Sequence, residues 1–209
     1  MKRYAALLAL FAVLAPVAAF AGANVGAAIL IGTGTSTKTT ACSTLIQTTC
    51  AAVVPTSNTV VGPNNFAAVY VGREPLPMTV TGIDFGIQYS NAILVSAWNK
   101  CGDLEVPDAT WPASGSGISM VWAAAQTGNV ILVGWFKVTT YAGYGPMTFQ
   151  VGLNPTFNAC QVLDASSNFD ALRYPAIGTW DGLPGSNPDC LFTAVQHTTW
   201  GNIKNMYQN

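Results

Sequence analysis

From Ile83 to Tyr89 the chain alternates strictly: Ile83, Phe85, Ile87 and Tyr89 share one parity, and Asp84, Gly86 and Gln88 share the other. A period of two predicts a strand with one buried and one wet face. Gly86 within the run and Gly82 just before it argue against a helix. On this reading Asp84 sits on the wet side beside Gln88 and is not a working acid. Val80 falls on the polar parity, which predicts a bulge near Gly82. Further strands are expected at 24–32, 66–72, 92–98, 118–125, 130–138, 147–153 and 160–164. The runs 118–125 and 130–138 are separated by "QTGN" and read as a β-hairpin, with Gly128 and Asn129 supplying the turn. Residues 33–49, rich in Thr and Ser, read as a long loop, and "REPLP" (73–77) breaks the chain.

Short strands separated by Gly, Pro and Asn turns predict an all-β fold, an immunoglobulin-like or jelly-roll antiparallel β-sandwich. Trp200, Ile203 and Tyr207 recur at helical spacing, so a short C-terminal helix capped by Thr198 or Thr199 is expected. The first residues combine a basic Lys2-Arg3 start, an apolar run over 5–19 and a small-x-small Ala19-Phe20-Ala21 ending. This is the pattern of a secretory signal peptide over 1–21. A single domain over 22–209 follows, and the expected location is extracellular or periplasmic. Of eight basic residues Lys2 and Arg3 leave with the leader, so six face nine acids and the net charge is near −3. No basic patch exists, which argues against a nucleic-acid partner. No second long apolar run exists to span a membrane.

Export permits disulfides among Cys42, Cys50, Cys101, Cys160 and Cys190. The odd count leaves one thiol over. Proximity favours Cys42–Cys50, and Cys160–Cys190 would tie the terminal region to the body. Cys101 is then free, with Cys101–Cys160 the competing pair. A zinc site is disfavoured, since there is no C-x-x-C motif and His197 is the lone histidine.

Candidate chemistry is sparse. A Ser-His-Asp triad would need His197, and no G-x-S-x-G elbow accompanies it. "GTGTST" (32–37) lacks the last glycine of a dinucleotide fingerprint. Asp103, Glu105 and Asp108 offer three carboxylates in six positions, which suits either calcium ligation or an edge strand followed by a turn aspartate. No cofactor is implied. The aromatic residues point elsewhere. "VILVGWFKV" places Ile131, Val133 and Trp135 on one parity and Val130, Leu132, Phe136 and Val138 on the other. Something must cover its second face: the N-terminal segment, the terminal helix, another chain or a glycan. Trp135 and Trp122 are the candidate ligand-binding rings.

The succession of "GIDFGIQYS", "AILVSA", a glycine-rich crossover and "GNVILVGWFKVT" resembles the cohesin-type, immunoglobulin-like β-sandwich over about half of the mature chain. The ending "TTWGNIKNMYQN" is similar to the tails of secreted bacterial proteins with such sandwiches. The resemblance implies the fold. Cohesins bind dockerin modules, but no dockerin-binding residue can be placed on this sequence. The expected role is a secreted, non-enzymatic structural or interaction module of the bacterial surface or extracellular space, with a protein or glycan partner. The alternative is a carbohydrate-binding module with an exposed aromatic platform.

Overall fold

The computed structural model describes residues 22–58 and 62–191. The leader, His197 and the expected terminal helix lie outside these residues. Among the described residues, eleven strands form two sheets. The smaller contains β1 (Ala28–Thr35), β2 (Gly62–Gly72), β4 (Ile93–Lys100) and β7 (Val130–Thr140), in the order β1-β2-β7-β4. The larger contains β3 (Met78–Tyr89), β5 (Leu104–Pro107), β6 (Ser116–Gly128), β8 (Thr148–Gly152), β9 (Gln161–Leu163), β10 (Phe169–Ala171) and β11 (Ala176–Thr179). β3 is its spine. One edge pairs with β6, and the other is shared by β9 at Gly82–Asp84 and β8 at Gly86–Tyr89. The strand ladders are antiparallel, and the fold is the all-β sandwich expected from the alternation.

The alternation works as physics requires. Ile83, Phe85 and Ile87 point between the sheets and pack with Ile29, Val69, Val71, Phe136 and Phe149. Trp98 stacks near Phe136 at 4.5 Å between ring centroids, and Phe136 meets Phe149 at 4.9 Å. Gly134 makes this packing feasible, because a Cβ there would lie 2.2 Å from the Trp98 ring. The expected bulge is present: pairing slips between Val80 and Gly82, where three extra residues of β6 loop out.

Two expectations about β6 and β7 are corrected. They do not form a hairpin. β6 belongs to the larger sheet and β7 to the smaller, so Asn129 carries the chain across the sandwich. The turn residues are compatible with both connections, and only the distant partners β3 and β2 decide between them. The parity assignment of β7 is also corrected. Val133 is skipped in its pairing with β2, which moves the face by one residue. Ile131, Val133, Phe136 and Val138 therefore face the core, while Val130, Leu132 and Trp135 face outward.

The outward face of the smaller sheet is covered by the chain itself. Residues 36–58 cross it through two short 3-10 turns, Cys42–Thr44 and Cys50–Ala52. Leu45 and Val53 from this segment pack with Leu30, Ala68, Tyr70 and Trp135. The Tyr70 hydroxyl donates to the Leu45 carbonyl at 2.8 Å, and burial pushes its pKa up to about 12 despite a hydrogen bond to Gln47. Two disulfides fix the cover, Cys42–Cys101 at the end of β4 and Cys50–Cys190 at the C-terminal segment.

Both expected pairings are thus corrected, and Cys160 rather than Cys101 is the free thiol. Cys42 and Cys50 are neighbours in sequence but sit in separate turns with different partners. Cys160 packs between the sheets, whereas Cys190 lies outside the smaller sheet, so a full layer of sheet separates them.

Candidate interaction face

Among the described residues, no segment covers the outer face of the larger sheet over most of its width. Cross-strand register sets out its rows. Leu163, Gly82, Val121 and Leu104 form one, across β9, β3, β6 and β5. Gln161, Asp84, Ser119 and Val106 form the next. Then come Gly152, Gly86 and Gly117, and finally Gln150 beside Gln88.

At the β5 edge, Leu104 (60% exposed), Val106 (65% exposed) and Val121 make a small apolar patch. β5 is a short edge strand of the kind that limits uncontrolled pairing, yet its outward residues are aliphatic. The next row is polar and already satisfied. Ser119 Oγ donates to Asp84 Oδ1 at 2.5 Å, and Gln161 Nε2 donates to Asp84 Oδ2 at 2.8 Å. Asp84 is therefore on the outer face, as alternation predicted, but clamped across three strands rather than free in solvent. Its charge, behind the larger effect of burial, helps raise the Cys160 thiol to about 12. That thiol is inert at neutral pH.

The glycine row has a steric reason. A Cβ on Gly86 would lie 2.1 Å from the Leu153 carbonyl oxygen, and one on Gly117 would lie 2.5 Å from Asn154 Oδ1. Glycine lets the β8–β9 connection rest on the sheet there, and Asn154 Nδ2 donates to the Ile118 carbonyl at 3.3 Å. Beyond this strap lies a groove of about 330 Å³ between Gln88, Gln150, Leu153, Pro155, Tyr174 and Pro175. It continues into a second hollow of about 340 Å³ that shares Gln88 and Gln150 and ends at Tyr89, Ser90 and Ile177. Apolar walls over polar amides are the usual composition of a binding groove.

The three clustered acids serve separate local structures. Asp103 Oδ2 accepts the Ala123 N–H at 2.7 Å, holding the looped-out part of β6. Glu105 Oε2 accepts the Trp98 indole N–H at 2.9 Å. Asp108 accepts the backbone N–H groups of Thr110 and Gly117. Burial would raise the Asp108 pKa, but these hydrogen bonds outweigh it and hold the carboxyl below its ordinary value of 3.8. An edge strand and a turn aspartate are both present, but the expectation that Asp103 and Glu105 are the strand's two outward residues is corrected. Asp103 precedes β5, and Glu105 turns inward to Trp98 while Leu104 and Val106 face solvent. The calcium candidates Asp103, Glu105 and Asp108 each lend oxygens to a different backbone or ring donor. Cys50, Glu74 and Cys190 bring three potential ligand atoms within 4.8 Å of one another, but both sulfurs are consumed by the disulfide.

The candidate ligand-binding rings are also relocated. Trp135 is 7% exposed beneath the disulfide-fixed cover. Trp122 is equally buried in the core, and its indole N–H donates to the Cys101 carbonyl at 3.1 Å. Neither offers a plate to a ligand. The sequence signal was real, since apolar residues on both parities of β7 do require a second cover. Intramolecular burial supplies it. The outer-face groove escaped sequence reading because its residues come from β3, β8 and the segment before β11, which only the fold brings together.

No family model matches the chain, and no curated protein matches it either. Among solved structures, it is similar to a cohesin module from a Clostridium perfringens family 33 glycoside hydrolase, at 9% identity and a TM-score of 0.43. That match covers 73% of this chain and 97% of the module. A chain of the CaDoc0917–CaCohA2 complex is similar at 13% identity and a TM-score of 0.40, covering 55% of this chain and 86% of the other. The cohesin resemblance read from the sequence thus reappears among solved structures, at low identity and with TM-scores below 0.5.

Proposed function

We propose that this chain is an exported, non-enzymatic interaction module that presents the outer face of its larger sheet to a protein partner. One observation carries the reading: the two outer faces are treated oppositely. A long loop and both disulfides conceal the smaller sheet's outer face. The larger sheet leaves Leu104, Val106 and Val121 in solvent beside a groove with two glutamines. Exposed apolar residues grouped on one face are the usual mark of an association surface. Two disulfides and the leader pattern over 1–21 support an extracellular or periplasmic location. The carboxylates of the face are occupied with structural hydrogen bonds, which supports binding over catalysis.

The test is site-specific photocrosslinking on intact producing cells, with the photoreactive residue at 106, and at 137 on the other sheet as control. A discrete protein adduct is expected from 106 alone. With the photoreactive residue kept at 106, Leu104→Asp with Val121→Asp should abolish that adduct while leaving the melting temperature within a few degrees, because both side chains are exposed. Equal adducts from both positions, or an adduct that survives the double substitution, would overturn the proposal.

A further inference from the structure

A second surface lies at one end of the sandwich, in the connection between β7 and β8. Tyr141 and Tyr144 stand out of it, 41% and 71% exposed. Their rings meet edge to face, with centroids 6.4 Å apart and planes at 74°. Together with Asn91, from the turn between β3 and β4, they line an open hollow of about 240 Å³. The pair is anchored from below, since the Tyr141 N–H donates to the Ala92 carbonyl at 2.8 Å. Gly143 and Gly145 flank Tyr144 with φ of +83° and +102°, a backbone that side chains disfavour, and a Cβ at either would meet nothing within 4 Å. The loop is thus bent by its glycines to hold an aromatic ring outward where the core does not demand it.

The polar chemistry narrows the ligand. The segments that build this end, 85–99 and 138–163, contain no charged side chain. These two segments offer a charged ligand no counter-ion, and the turn that carries Asp181, joined to them by the Trp180 N–H donated to the Met147 carbonyl, would repel an anion, so a neutral ligand is favoured. The Asn91 amide is both donor and acceptor, and each tyrosine hydroxyl is likewise both. Sugar hydroxyls match that dual character. A proline-rich peptide, the other common guest of paired aromatics, brings carbonyl acceptors and leaves the Asn91 oxygen unused. We infer that Tyr141, Tyr144 and Asn91 form a site for a single neutral pyranose ring, with Tyr144 as the stacking plate. The hollow is smaller than the ~300–1,000 Å³ typical of drug-sized ligands. It fits one sugar unit, and the expected Kd is on the order of 1 mM for one unit.

The site shares no residue with the interaction face, so the two readings fail separately. The probe is a multivalent array of neutral hexose, pentose and N-acetylhexosamine oligosaccharides, followed by saturation-transfer NMR with the best oligosaccharide in solution. Retention of a neutral glycan by the full chain is expected. Tyr144→Ala should weaken it about tenfold, as for an exposed aromatic hot spot, and Asn91→Ala should weaken it less. Val106→Asp, on the other surface, should leave it unchanged. These residues are exposed, so the variants should fold, and an unchanged melting curve checks this. No retained neutral glycan, retention indifferent to Tyr144→Ala, or displacement of the glycan by a proline-rich peptide at lower concentration would overturn the assignment.

Discussion

Removing the Cys42–Cys101 disulfide tests whether the cover over β7 is held by covalent linkage or by its own packing. The cover spans residues 36–58 but commits few large apolar side chains, chiefly Leu45 and Val53. The bridge joins positions 59 residues apart. In the chain-entropy account a loop of that length contributes about 4 kcal/mol, against about 2.5 kcal/mol for the short 42–50 loop favoured by sequence proximity. Cys50–Cys190 already restrains part of the same chain, so about 2–4 kcal/mol is the expected loss for Cys42→Ser with Cys101→Ser. At roughly 2–4 °C per kcal/mol for a chain of this size, the melting temperature should fall by about 4–16 °C. A local consequence follows as well. Trp135 lies beneath the cover, so its emission should shift red and acrylamide should quench it more. Trp135→Phe in the same background should cancel that increment. An unchanged melting temperature with unchanged quenching would refute the covalent-staple reasoning. Recovery of a Cys42–Cys50 peptide from non-reduced digests would refute the pairing itself.

Two further outcomes follow from the interior. Gly134→Ala should destabilise by about 1–3 kcal/mol by driving a methyl group into the Trp98 ring, read as a lower urea midpoint with an unchanged slope; a wild-type midpoint would show that Trp98 yields freely. In acid, Asp108 opposes burial with its Gly117 and Thr110 hydrogen bonds, and Asp164 is held down chiefly by Asn168, so both folded-state pKa values lie below 3.8. Their contribution is present above that unfolded value and is lost as pH falls through the depressed ones. The melting temperature should therefore drop below about pH 4, and Asp108→Asn and Asp164→Asn should narrow their deficit there. Parallel pH profiles for wild type and both variants would count against this linkage.

The strands were legible because alternation is a local property. Ile83, Phe85 and Ile87 face the core for the reason that their spacing announced, and the slip at Gly82 followed from one apolar residue, Val80, on the wrong parity. What depended on distant partners was not legible. Gly128 and Asn129 suit a hairpin, yet β6 and β7 pair with different sheets. A single skipped residue, Val133, was enough to put Trp135 and Phe136 on faces opposite to those counted from the sequence. Cysteine pairing failed for the same reason. Separation along the chain sets the entropy of a loop, but the layer in which each sulfur lies decides whether it can close, and Cys160 and Cys190 lie in different layers.

The same contrast explains why the two outer faces differ. Val130, Leu132 and Trp135 on β7 demand shelter, and the Thr-rich segment that shelters them is poor in apolar area and cannot hold itself down by burial alone. Disulfides at its two turns compensate by removing entropy from the unfolded chain. On the larger sheet the outward positions are mainly Gly, Gln, Ser and Asp, and these need no cover: Asp84 is satisfied by Ser119 and Gln161 without burial beneath another layer. Leu163, Val121, Leu104 and Val106 are the aliphatic exceptions, and Leu104 and Val106 are the most exposed of them. Folding gives these two no shelter, and no cross-strand constraint requires leucine or valine at their solvent side, where polar residues would serve the edge better. Aliphatic side chains that stability does not use, on the face that the described residues leave open, are what the proposed protein partner would cover.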